Sequence, residues 1–159
     1  DPVMRQMTRL YEHNRCSILG VQNIRLEETM NYGIVKCEPG KNGLHQITGI
    51  VEKPKPENAP STLGVVGRYI LTPRIFSHLE RIKPGTGGEI QLTDGIASLL
   101  QKERVLAYEF SGTRYDCGTK LGYLKATIAL ALKHPEVGKE FAAHLASQGG
   151  NNCCDIPAD

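Results

Sequence analysis

The sequence predicts an α/β fold. Apolar residues recur at helical spacing in several stretches, short β-branched runs lie between them, and glycine, proline and asparagine punctuate the joins. With 159 residues, 40% of them apolar and 23% charged, the chain is long enough to bury one core of ordinary size. A formal charge of +2 and a pI near 8.3, with no lysine or arginine run, argue against a nucleic-acid partner. No apolar run approaches the ~18 residues of a membrane helix, and no apolar signal-peptide core is present, so a cytoplasmic location is expected.

Each element follows from local pattern. Val3, Met4, Met7, Leu10 and Tyr11 fall on one helical face, which predicts a helix from Val3 to Tyr11 with Asp1-Pro2 at its start. Cys16 to Val21 reads as a buried strand. Tyr32 to Cys37 and Gln46 to Glu52 read as two strands, and Asn42-Gly43 between them is a tight-turn signal, so the pair forms a hairpin. Pro54 to Pro60 is loop. Leu63 to Leu71 is a strand with Gly64 and Gly67 inside it, a pattern of a bulge or of close approach by a ligand.

Helices are predicted at Arg74 to Ile82 and Glu89 to Lys102, separated by the flexible stretch Lys83 to Gly88. Val105 to Phe110 is the last strand. Thr119 can cap a helix whose Leu121, Leu124, Ile128 and Leu132 share one face, and a further helix runs from Glu136 to about Ala146. Residues 1–147 are expected to form one domain and 148–159 a flexible tail. The cysteines, five in number and scattered, indicate neither a disulfide framework nor a zinc site, and Cys153-Cys154 has no metal-ligand spacing.

Gly49-Ile50-Val51-Glu52-Lys53-Pro54 carries the chemistry. A strand ends on two β-branched residues, a carboxylate and an ammonium follow at its tip, and Pro54 stops the pairing. At the carboxyl end of a strand in an open α/β sheet, such a pair suits a ligand bearing both hydroxyls and a phosphate; a solvated loop is the alternative.

Four further segments accompany it in order: Asn31-Tyr32-Gly33-Ile34-Val35, Val66-Gly67-Arg68-Tyr69-Ile70-Leu71, Gly88-Glu89-Ile90-Gln91-Leu92-Thr93-Asp94 and Tyr115-Asp116-Cys117-Gly118-Thr119-Lys120-Leu121-Gly122-Tyr123. Together they resemble the C-terminal half of the bacterial UTP–glucose-1-phosphate uridylyltransferases, or UDP-glucose pyrophosphorylases, from roughly Asp1 to Leu145. The resemblance implies the C-terminal part of a Rossmann-like nucleotide-diphospho-sugar transferase fold with a mixed sheet. The family's nucleotide-binding half, with its glycine-rich G-x-G-T-R loop, is not found in the sequence. Gly112-Thr113-Arg114 imitates part of that loop, but Phe110 stands where the first glycine belongs.

The resemblance further implies formation of UDP-glucose and pyrophosphate from UTP and glucose-1-phosphate, with Mg²⁺ as cofactor, and a fragment inactive alone. It assigns Glu52 to sugar hydroxyls and Lys53 to the phosphate as the catalytic cation. Gly33, Val66 and Gly67 would give main-chain contacts to the sugar, and Asp116 would bind the metal. Each has a structural alternative: irregular strands at Gly33 and Gly67, and for Asp116 a helix cap or an ion pair with Arg114. Glu89 and Asp94 are expected to flank a helix start, and the histidines to lie in surface-like contexts. The full-length protein is expected to be a homo-oligomer, with Leu124, Ile128 and Phe141 either at its interface or in the core. A non-catalytic assembly module of the same fold and a dTDP-glucose-forming thymidylyltransferase are the alternatives.

Overall fold

The computed structural model describes residues 1–85 and 88–149. They form two compact units, Asp1–Gly112 and a second beginning at Thr113. In the first unit the order is α1 (Val3–Asn14), β1 (Ser17–Asn23), β2 (Gly33–Glu38), β3 (Leu44–Glu52), β4 (Leu63–Ile70), α2 (Arg74–Leu79), α3 (Leu92–Leu100) and β5 (Val105–Glu109). Two 3₁₀ helices, Leu26–Asn31 and Pro56–Asn58, interrupt segments that carry no apolar period. The second unit holds α4 (Lys120–Ala131) and α5 (Gly138–Gly149). No helix among the described residues is long and apolar enough to cross a membrane.

The sheet is mixed and closed. Its order is β1-β4-β2-β3-β5, and β5 pairs with β1 in parallel while also pairing with β3 antiparallel. The ring therefore replaces the open sheet that a simple α/β reading supposes, and it removes free strand edges. Period-two alternation sorts the side chains of β1 and β5. Leu19, Val21, Val105 and Ala107 join Ile75, Ile96 and Leu99 of α2 and α3 in the main core. Ile18 and Leu106 point the other way, against Met7 of α1. Covered on both faces, β1 is buried from Ser17 to Val21, and its apolar centre Ile18 to Val21 is why it reads as a continuous buried run.

The Asn42-Gly43 hairpin forms as the sequence indicates. Both residues have positive φ, 55° and 72°, and Leu44 N–H closes the turn on the Lys41 carbonyl at 3.0 Å. Two helices are shorter than their sequence pattern. Glu89 spends its carbonyl on Gly85 N–H (3.0 Å) in a turn where Gly88 has φ 78°, so α3 starts only at Leu92. Asp94 thus lies in a first helical turn and Glu89 does not. Ahead of Pro84, Arg81 and Ile82 donate three residues back instead of four, and α2 ends at Leu79.

In the second unit, Thr119 caps α4 by accepting Gly122 N–H at 3.0 Å. Leu121, Leu124 and Ile128 of α4 are exposed. The helix α5 runs on to Gly149, into the stretch read as tail; residues 150–159, including Cys153-Cys154, lie outside the described residues.

Candidate functional site

Antiparallel register brings Glu52, the last residue of β3, opposite Gly33, the first of β2. The Glu52 side chain walls a cavity of about 250 Å³ whose lining includes Gly33, Val65, Tyr69, Gln91 and Thr93. It also walls a neighbouring hollow of about 510 Å³ with Lys53, Gly85, Gln91 and Asp94. The hydroxyl of Thr93, in the first turn of α3, donates to Glu52 Oε2. Gly33 leaves room for that contact: a β-carbon there would stand 3.3 Å from Glu52 Oε2 and 3.4 Å from Thr93 Oγ1.

Lys53 Nζ lies 3.9 Å from Glu52 Oε1, and its side chain is 60% exposed. So open a pair contributes about 0–1 kcal/mol, which leaves the ammonium free to follow an incoming anion. The backbone beneath it is fixed. Lys53 has φ 44°, the left-handed region that costs a non-glycine residue roughly 1–2 kcal/mol. Its N–H donates to the Tyr32 carbonyl at 3.0 Å, a bond that holds the turn aiming Lys53; the fully buried Thr29 hydroxyl shares its one proton between the Leu26 carbonyl at 2.9 Å and the carbonyl of buried Pro54 at 3.1 Å.

Tyr69 stands on the cavity wall with its phenol pKa raised, first by burial and then by the negative charge of Glu52. It stays protonated and can donate. Val65 and Tyr69, not Val66 and Gly67, are the β4 residues that line the cavity. Gly67, with φ 71° and open space around its α-carbon, sits where β4 carries extra residues between its pairings to Leu19 and Val21. A bulge is sufficient reason for that glycine.

Asp116 belongs to the second unit and is exposed. Its Oδ1 accepts Gly118 N–H at 3.0 Å and its carbonyl accepts the Thr119 hydroxyl at 3.3 Å, so it shapes the turn leading into α4 while Thr119 makes the cap. Among the described residues no cluster of three or more His, Cys, Asp or Glu side chains is arranged to hold a metal.

Residues 4–132 match the nucleotidyl transferase family. The chain belongs to that family. This nucleotidyl transferase chain is 49% identical over 127 residues to a UTP–glucose-1-phosphate uridylyltransferase of Pseudomonas aeruginosa, covering 80% of itself and 46% of that protein. To the uridylyltransferase of Streptococcus pneumoniae it is 44% identical over 149 residues, 93% of itself and 50% of the relative. Among solved structures, a UDP-glucose pyrophosphorylase complexed with UDP-glucose superposes with a TM-score of 0.78 at 45% identity, over 83% of this chain and 50% of that one. The chain therefore spans about half the length of the curated relatives it matches.

The geometry of this nucleotidyl transferase chain gathers Gly33, Glu52 and Lys53 at one place and adds residues that the sequence reading passed over. Thr93 and Gln91 lie within the quoted Glu-Ile-Gln-Leu-Thr-Asp motif, and Tyr69 within the β4 motif, but nothing local marks them as facing Glu52. Thr29 left no signal of its place beside the site: besides the Leu26 carbonyl three residues back, its hydroxyl reaches the Pro54 carbonyl 25 residues away. The surface context expected of the histidines fails at His45. Its side chain is 18% exposed, Nδ1 accepts Gly40 N–H at 3.1 Å, and Nε2 faces Glu109 at 3.8 Å.

Proposed function

We propose that this chain is the sugar-phosphate-binding half of an enzyme that forms UDP-glucose and pyrophosphate from UTP and glucose-1-phosphate, the nucleotide-binding half lying elsewhere in a longer polypeptide. The relatives' names and the half-length coverage support the reading. One observation carries it: a carboxylate held on one oxygen by Thr93, beside an ammonium that nothing locks, at the rim of a cavity with polar walls.

In the reaction, a phosphate oxygen of glucose-1-phosphate forms a new bond to the α-phosphorus of UTP. The bond from that phosphorus to the bridging oxygen breaks, and pyrophosphate leaves. Both reactants are anions, so the catalyst's work is positioning and charge neutralisation. Glu52 Oε1 accepts hydrogen bonds from sugar hydroxyls while Oε2 is occupied by Thr93. Tyr69, kept protonated, offers a donor on the same wall. Lys53, released from its weak pair with Glu52, meets the phosphate and lowers the repulsion between the two reacting groups.

On this reading Asp116 would be the residue of this chain that holds magnesium: its Oδ1 accepts Gly118 N–H and leaves Oδ2 for a cation. Bound there, magnesium would supply charge neutralisation on phosphate oxygens. The same reading places the enzyme in the cytoplasm as a homo-oligomer.

Steady-state kinetics on the polypeptide carrying both halves tests the assignment. Lys53→Ala is expected to lower kcat about a hundredfold or more, the loss typical of a transition-state charge partner. Turnover close to wild type would remove Lys53 from the mechanism.

A further inference from the structure

Glu52 presents two chemically identical oxygens on a side chain with three rotatable bonds, and an unrestrained carboxylate would offer either of them to the sugar or turn both toward Lys53. The structure breaks that equivalence. Thr93 donates to Oε2, while Oε1 is the oxygen on the Lys53 side, 3.9 Å from Nζ. The donor is itself anchored, because the first turn of α3 is closed by Asp94 N–H and Gly95 N–H on the Gln91 carbonyl, at 3.1 and 3.3 Å. Gly33 lies against the same contact: a β-carbon there would come within 3.3 Å of Glu52 Oε2, 3.4 Å of Thr93 Oγ1 and 3.8 Å of Thr93 Cγ2, close enough to crowd the carboxylate end of the pair by a few tenths of an ångström.

We propose that Thr93 is a positioning residue that sets sugar affinity and sugar selectivity: by holding Oε2 it fixes the rotation of the Glu52 carboxylate, and with it the directions in which the remaining lone pairs meet the hydroxyls of the bound hexose. The proposal rests on the reading of this site as a sugar-phosphate pocket, and it adds a residue whose part in it is played entirely through Glu52. With the hydroxyl gone, the carboxylate is free to rotate. It then accepts hydroxyls in more than one arrangement and competes with the phosphate for Lys53. Sugar binding weakens, stereochemical discrimination falls, and the nucleotide side is untouched.

The test is a kinetic comparison in the polypeptide that carries both halves, with glucose-1-phosphate, its C4 epimer galactose-1-phosphate, and UTP. Thr93→Val keeps the shape and removes the donor; Thr93→Ser keeps the donor and removes the methyl. Thr93→Val is expected to raise KM for glucose-1-phosphate about tenfold, the worth of one charge-assisted hydrogen bond, with KM for UTP held within about twofold. The preference for glucose-1-phosphate over its epimer narrows in the same variant, and Thr93→Ser restores most of both losses. Thr93→Ala gives the same split, with melting temperatures of all variants measured so that misfolding is recognised. Unchanged sugar KM and epimer ratio in Thr93→Val and Thr93→Ala, or an equal rise in both KM values, overturns the positioning role while leaving the sugar-phosphate reading intact. A wild-type protein that turns over none of these substrates overturns that reading and the proposal with it.

Discussion

Cys37 shows how the environment of one residue becomes a property of the fold. Half-buried beside the main core, its thiol is pushed up by burial from the ordinary 9.0 to about 11. In the unfolded chain the same thiol ionises near 9. Between the two values the unfolded state binds fewer protons than the folded one, so rising pH favours unfolding. The contribution is whole below about pH 9 and lost as pH climbs through about 11. Urea midpoints of wild type and Cys37→Ala should therefore converge as pH rises from 8 to 11, because only the wild type carries the alkaline penalty. A gap that stays constant would mean that burial of the thiol has no energetic consequence. Residue-level legibility was uneven for a related reason. Glu52 and Lys53 were readable only in company: opposite charges before a proline read alone as a solvated loop, and the four motifs that accompany them in order supplied the specificity. Thr93 and Thr29 were not readable, because what ties them to the site is an acceptor distant in the chain, Glu52 for Thr93 and, beyond the local Leu26 carbonyl, Pro54 for Thr29.

Elements were legible wherever the information was local. Asn42-Gly43 announced the β2–β3 hairpin because two successive positive φ angles are cheap for that dipeptide and costly for most others. Its glycine also has a neighbour: a β-carbon at Gly43 would approach the Glu109 carbonyl to 2.9 Å, where Glu109 N–H donates to the Gly43 carbonyl. Gly43→Ala is expected to cost about 1–2 kcal/mol in chemical denaturation, from backbone strain together with the loosened end of β5. Gly49→Ala is the matched control. It stands in β3 without positive φ, a β-carbon there would touch only Lys36 Cβ at 3.8 Å, and its cost should stay within about 0.5 kcal/mol. Equal losses from the two would show that the turn geometry at Gly43 is not what fixes the hairpin. Where an element depended on its surroundings, the pattern misled. Ile90 suited a helix by spacing, but the turn at Gly88 had already engaged Glu89. The 3₁₀ helix Leu26–Asn31 has no apolar period to betray it, yet it brings the Thr29 hydroxyl within reach of the Pro54 carbonyl.

At the scale of the whole molecule, the ring of strands decides which chemistry the chain can hold. Closure of β3 on β5 is a long-range pairing that no local pattern states, and it carries β3 so that Glu52 and Lys53 emerge beside the start of α3. An acceptor, a donor and a cation are gathered there within one pair of hollows, the set that the proposed sugar-phosphate reading calls for. The sequence offers nothing comparable for a triphosphate. Its nearest imitation of a glycine-rich loop, Gly112-Thr113-Arg114, has Phe110 at the position of the first glycine, and among the described residues no cluster of three or more His, Cys, Asp or Glu side chains is arranged to hold a metal. Positioning two anions in line requires a wall for each, and approximation of the reactants accounts for as much as about 7–11 kcal/mol of a barrier. The 159 residues alone, given UTP, glucose-1-phosphate and magnesium, are therefore expected to release no pyrophosphate above background, while glucose-1-phosphate binds weakly in calorimetric titration. The polypeptide with both halves should release pyrophosphate and UDP-glucose in equal amounts. Full turnover by the 159 residues would show instead that the triphosphate site lies within them, and the division of labour between two halves would have to be abandoned.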